Sequence, residues 1–169
     1  MKKFFGLLAA MVVAGVGAAE YMVVAKEMVY ESDDWACSVP AGILVSKKGN
    51  VIAQGTYALP KAGSYTVWVL TETRNEGWRK ASIKINDAPF GKFGDEKRKD
   101  YTKPMGYWKK MMLPYTAKAD GEIIKVQIVD AGKGSVRFGG VIFSDNPEFD
   151  PAKVDGPVAD AVEALENAE

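Results

Sequence analysis

From residue 21 to residue 143 the sequence is a succession of short apolar runs, most of them alternating with polar residues and closed by Gly, Pro, Asn or Asp. A period of two marks a strand with unlike faces, and the closing residues are those that turn a chain. In residues 64–71, Tyr65, Val67 and Val69 point to one face while Thr66, Trp68 and Leu70 point to the other, so both faces should be at least partly covered. In 81–86, Ala81, Ile83 and Ile85 alternate with Ser82, Lys84 and Asn86, and in 122–130 Ile124, Val126 and Ile128 do the same. That is the pattern of a sheet with one wet face. Further strands are predicted over 21–30, 42–46, 51–59, 108–114 and 136–143. The last contains Gly139-Gly140, a signal for a bulge or a close backbone approach.

No stretch between Glu20 and Phe149 sustains a helical period over ten residues. Crossover helices are therefore missing, and a parallel sheet has no means of connection. About eight or nine strands in one domain predict an all-β fold, an antiparallel two-sheet β-sandwich. Two stretches depart from the rhythm. Residues 89–106 read as a long charged loop, with Lys97, Arg98 and Lys99 among Asp95, Glu96 and Asp100. Residues 151–169 read as an acidic tail whose Val158, Val162 and Leu165 share one face of a short C-terminal helix.

Ahead of the strands, Lys2 and Lys3 precede an apolar run that ends in Gly17-Ala18-Ala19. Positive charge, apolar run and small residues in that order predict a secretory signal peptide over 1–19. The run is shorter than the ~20 residues a membrane span needs, so no membrane insertion is expected after cleavage. A sandwich domain over 20–150 and the tail over 151–169 would follow. Cleavage would leave 150 of the 169 residues, enough to bury roughly two thirds of the unfolded surface. The expected location is secreted or periplasmic, at the cell envelope.

The mature chain would carry 20 basic and 22 acidic residues, a balance that gives no field for holding nucleic acid. Histidine is absent and cysteine occurs once, as Cys37, which excludes Ser-His-Asp and Cys-His catalysis and an internal disulfide. No catalytic residue is assigned: Glu72, Glu76 and Asp87 are the nearest approach to an acid/base pair, and their spacing carries no signature. The chain is therefore read as not an enzyme. No cofactor is expected either. Calcium is the one metal its carboxylates suit, through Asp120, Asp130 and residues 145–150, although a solvated acidic turn is the favoured reading of that segment.

From residue 59 the strand with Tyr65 to Leu70, then Ile83–Asn86 with Phe93-Gly94, then Tyr107-Trp108 leading to Leu113, then Ile124–Asp130 with Val136–Phe138 and Val141–Phe143, resembles a known family. It is the golvesin and xanthan-lyase type of galactose-binding-like β-sandwich, a jelly-roll module of secreted polysaccharide-active proteins. The resemblance spans about residues 23–151 and implies a carbohydrate-binding-module-like role. One departure is plain: Gly139-Gly140 stands where the family commonly places an acidic residue before the last strand.

Sugar recognition uses flat aromatic faces for C–H surfaces and polar side chains at the edges for hydroxyls. Trp78 leads the candidates because Arg74, Asn75, Glu76 and Arg79 bracket it; Trp35, beside Asp33 and Asp34, and Tyr107 follow. Trp68 and Trp108 fall in strand patterns and are read as core. The expected partner is a polysaccharide or glycan. The alternative is a structural or adaptor domain that binds envelope or matrix proteins.

Overall fold

The computed structural model describes residues 11–15, 18–24, 28–30, 35–38, 43–46, 52–72, 81–94, 106–130 and 137–167. Thirteen strands lie among them: β1 Met11–Gly15, β2 Ala18–Val24, β3 Val29–Tyr30, β4 Trp35–Ser38, β5 Ile43–Ser46, β6 Ile52–Leu59, β7 Gly63–Glu72, β8 Ala81–Ile85, β9 Ala88–Phe93, β10 Gly106–Lys110, β11 Tyr115–Ala117, β12 Glu122–Asp130 and β13 Arg137–Ser144. The described residues also hold one 3-10 turn, Pro151–Lys153, and one helix, α1 Pro157–Asn167.

Every pairing is antiparallel, and the strands form two sheets. The smaller has the order β3-β6-β12-β8-β9. In the larger, β13 is central: β7 lies along one edge, β2 and β5 share the other, and β10 and β11 extend the sheet beyond β7. The fold class read from the alternating pattern, an all-β two-sheet sandwich with a short C-terminal helix, is the one observed.

The core follows the period of two. Tyr65, Val67 and Val69 of β7 and Phe138, Val141 and Phe143 of β13 pack against Ile83, Ile85, Ile124, Val126 and Ile128 of the smaller sheet, each 3 % exposed or less. Burying a side chain of this size contributes about 1.5–3 kcal/mol, so this layer dominates the stability. The polar partners in the alternation, Ser82, Lys84 and Lys125, remain partly exposed.

β7 and β13 are covered on their other face as well. Ile142, Phe149 and Val158 form a second cluster with Trp68, Trp108, Val154 and Ala161, and Leu70 packs with Trp108, Ala161 and Val162. The tail helix therefore docks on the outside of the larger sheet. Trp68 and Trp108, read as core, sit half-buried in this helix-to-sheet layer and not between the sheets. Alternation sent them to the face opposite Val67 and Val69, and only α1 gives that face a partner.

The Gly139 region is the bulge the sequence suggested, with the β13–β7 register shifting between Phe138 and Gly140. The predicted loop over 89–106 needs correction, because its first part is strand β9, which pairs with β8 and buries Phe93 completely. The β8–β9 turn is Asn86-Asp87, whose φ angles of 50° and 65° are those of a tight hairpin turn that matches sheet twist. Asn86 Oδ1 accepts from the Lys125 backbone N–H at 2.8 Å, and Lys125 Nζ meets Asp87 at 2.7 Å, fastening the turn to β12. The strand expected over 108–114 also divides: β10 stops at Lys110, and Met112 stands 99 % exposed while Met111 is buried. Residues 97–99 lie outside the described residues.

Candidate functional site

The register places the ends of six strands together. Gly106 pairs with Glu72, and Phe138 with Thr71, so β7 ends where β10 and β13 begin. In the other sheet Ala81 pairs with both Asp130 and Phe93, so β8 begins where β9 and β12 end. The rings of Phe93 and Phe138 lie 6.1 Å apart across the core, which sets these two sets of ends at the same pole of the sandwich. The strand ends that flank 73–80, 95–105 and 131–136 all lie at that pole.

Trp78, Arg74, Asn75, Glu76 and Arg79 belong to the first of these segments and lie outside the described residues. Their flanking residues, Glu72 and Ala81, are both at the pole. Trp35 opens β4 opposite Ser46, and the neighbouring Val45 pairs with Arg137, which brings its backbone to the same pole. Tyr107 is the second residue of β10. Trp35 and Tyr107 are nonetheless four strand spacings apart, across β5, β13 and β7, or about 19 Å. One aromatic platform cannot use both.

Beside the pole lies an open pocket of about 440 Å³ between the start of β10, the 3-10 turn and α1. Trp108, Val154, Ala159 and Val162 supply its apolar lining, Tyr107 lines it at the strand, and Asp150, Asp155 and Glu163 are its charged residues. Tyr107 pairs with Thr71 and Trp108 with Leu70, so the two rings point to opposite faces of the sheet and it is Trp108 that faces α1. The Trp108 indole N–H donates to the Val158 carbonyl at 3.4 Å, which ties the strand to the first turn of the helix. Along the same layer Lys110 Nζ lies 5.6 Å from the centre of the Trp68 ring.

The carboxylates differ in their engagement. Asp150 caps the 3-10 turn by accepting from the Ala152 N–H at 3.1 Å and meets Lys153 Nζ at 3.3 Å. The Ala152 N–H first, and Lys153 after it, hold this carboxyl below the usual carboxylate range. Asp155 and Glu163 are exposed and form no ion pair among the described residues.

Other carboxylates are committed to structure. Asp120 accepts from the Ala62 N–H at 2.7 Å, and Glu122 accepts from the Lys118 N–H. Among the described residues no group of three His, Cys, Asp or Glu is placed to hold a metal ion. Glu72 is buried, 3.7 Å from Arg137, while Asp87 is on the hairpin turn of the other sheet, so these two are not brought together; Glu76 lies outside the described residues.

No family model and no curated protein sequence matches the chain. Solved structures do. The CBM36-1 domain of a multidomain xylanase from the hindgut metagenome of Trinervitermes trinervoides superposes with a TM-score of 0.52 at 14 % identity, covering 73 % of this chain and 95 % of that one. A CBM36 module in complex with calcium and xylotriose gives 0.52 at 14 %, with 72 % and 98 % covered. The module CBM6cm-2 from Cellvibrio mixtus lichenase 5A, in complex with cellotriose, gives 0.50 at 10 %, with 80 % and 99 % covered. The chain shares the fold of these modules. Nearly the whole of each module is matched, so the likeness extends to the complete two-sheet sandwich and is not confined to one hairpin.

Three pocket residues were not legible as such in the sequence. The strand pattern reads Trp108 as core, and Asp155 and Glu163 fall in the acidic tail. The available signal was the amphipathic spacing of α1, which required a docking face on the sandwich.

Proposed function

We propose that the chain is an exported, non-catalytic carbohydrate-binding protein of golvesin and xanthan-lyase type, which meets its glycan at the pole where 73–80 departs and at the adjoining pocket. The observation that carries this reading is the pocket: an apolar wall with Trp108 and carboxylates at its margin, one of whose lining residues, Gly106, pairs with Glu72, the last described residue before 73–80. Aromatic surface with edge acceptors is the chemistry a sugar ring requires. Two modules of similar fold carry xylotriose and cellotriose, which supports a glycan as the ligand class. Within 73–80, Trp78 is the stacking residue and Arg74, Asn75, Glu76 and Arg79 meet hydroxyl groups; Tyr107 and Trp35 are peripheral contacts.

Export rests on the leader pattern of residues 1–19. The ladder between β2 and β13 pairs Glu20 through Val24 with Ser144 through Gly140. Cleavage after Ala19 removes β1, the outermost strand of its sheet, and leaves every one of those pairs in place.

A glycan array followed by titration calorimetry on the leading hits tests the reading. Saturable binding to at least one polysaccharide class is expected. A blank array, with the folded protein retained on envelope or matrix proteins, would replace it with the adaptor alternative.

A further inference from the structure

The charge pattern of the pocket is narrower than a neutral sugar demands. Asp155, from the connection into α1, and Glu163, from the body of the helix, enter the same pocket from separate elements, with Asp150 as a third carboxylate. Among the described residues that line it there is no Lys or Arg, and Lys153 Nζ is engaged by Asp150 at 3.3 Å. The Trp108 N–H is occupied by the Val158 carbonyl, so the indole offers the pocket apolar ring surface and no donor. The Asp155 and Glu163 side chains offer a ligand acceptors only. A neutral glycan presents donors and acceptors in equal measure, and its acceptors gain nothing from the Asp155 and Glu163 carboxylates, which can only accept. The complement of an aromatic wall with unpaired carboxylates is an organic cation with an apolar face, which gains both cation–π attraction and charge-assisted hydrogen bonds.

We infer that the pocket between β10 and α1 receives a protonated amino sugar, its ammonium on the Asp155 and Glu163 carboxylates and the C–H face of its ring on the Trp108 wall. This rests on the carbohydrate-binding reading and narrows it from glycans in general to those bearing free amines. Acetylation of the amine removes the charge and so the basis of recognition, while leaving the ring unchanged.

The two forms of one oligosaccharide make the test. Glucosamine and N-acetylglucosamine oligomers of equal length are titrated into the full-length protein and into Asp155→Asn/Glu163→Gln, at low and high ionic strength. The amine form is expected to bind at least roughly tenfold more tightly, the effect of one charge-assisted contact. That preference should vanish in the double variant and collapse near 1 M salt, where the screening length is ~3 Å. Both substituted residues are exposed, so the melting temperature should hold. Equal affinity for the two forms, a preference that survives the double variant, or equal competition by a lysine-rich peptide overturns the amino-sugar assignment and leaves the broader reading standing. Failure of both oligomers together with a blank glycan array removes both.

Discussion

A β-carbon added to Gly139 would lie 2.4 Å from Leu70 Cδ2 and 2.8 Å from its Cγ. Leu70 is fully buried between β10 and α1, so its side chain has no room to withdraw. The glycine is thus required by close approach, at the bulge where β13 changes register against β7. Gly139→Ala should destabilise the protein by about 1–3 kcal/mol, the range for overpacking a filled core. Leu70→Ala alone should cost about 2–5 kcal/mol, and the double variant should lose clearly less than the sum because each change relieves the other. Urea denaturation of the three variants checks this, and strict additivity would show that the two side chains do not compete for space.

The Tyr115 hydroxyl donates to Glu122, which also accepts from the Lys118 N–H. Burial, and then the bond to Glu122, pushes Tyr115 up from 10.0 to about 12. A raised folded-state value means the neutral phenol is favoured by folding. Its contribution is complete below pH 10 and is lost as pH climbs towards 12. Glu122 shifts the other way, held below its ordinary 4.5 by the bond from Tyr115 and then by the Lys118 N–H. Its contribution is present above pH 4.5 and lost as pH falls through the lowered value. Tyr115→Phe should therefore flatten the alkaline decline of stability between pH 10 and 12, relative to the parent, and Glu122→Gln should weaken both the acid and the alkaline arms. Chemical denaturation across pH provides the measurement, with parallel curves for parent and variants as the contrary result.

Trp78 and Trp68 should separate binding from folding. Trp78→Ala is expected to reduce glycan affinity roughly thirtyfold or more, the cost of losing a central aromatic anchor. Stability should move by no more than ~0.5 kcal/mol, as for a surface substitution. Trp68 packs under α1 with Ile142 and Val158, so Trp68→Ala should cost several kcal/mol, approaching the ~3–5 kcal/mol of a core tryptophan. Calorimetric titration and thermal melts of the two variants decide the matter. A Trp78→Ala protein that unfolds, or one that binds as before, removes Trp78 from the proposed contact set.

Export has a mass signature. Intact-mass analysis of the released protein should give a chain beginning at Glu20, with the β2–β13 ladder retained. Full-length protein recovered in the membrane fraction would contradict it.

The sequence by itself determined the class of fold and the division of each strand into two faces. Tyr65, Val67 and Val69 face the core, and Ile83, Ile85, Ile124, Val126 and Ile128 answer them, because a pleated chain cannot place successive side chains on one side. The Gly139 bulge and the amphipathic tail helix were legible for the same local reason. The β8–β9 hairpin was equally local, yet the charged residues after Phe93 masked the Asn86-Asp87 turn. What only the tertiary structure decided is which face meets which element. Trp108 and Tyr107 are adjacent in sequence, the first read as core and the second as a sugar contact, but pairing with Leu70 puts Trp108 under α1 and pairing with Thr71 puts Tyr107 on the opposite face. Asp155 and Glu163 became pocket residues only when α1 settled more than forty residues downstream on β10. Periodicity encodes direction relative to the backbone, whereas the identity of the partner is set by long-range burial that no local spacing records.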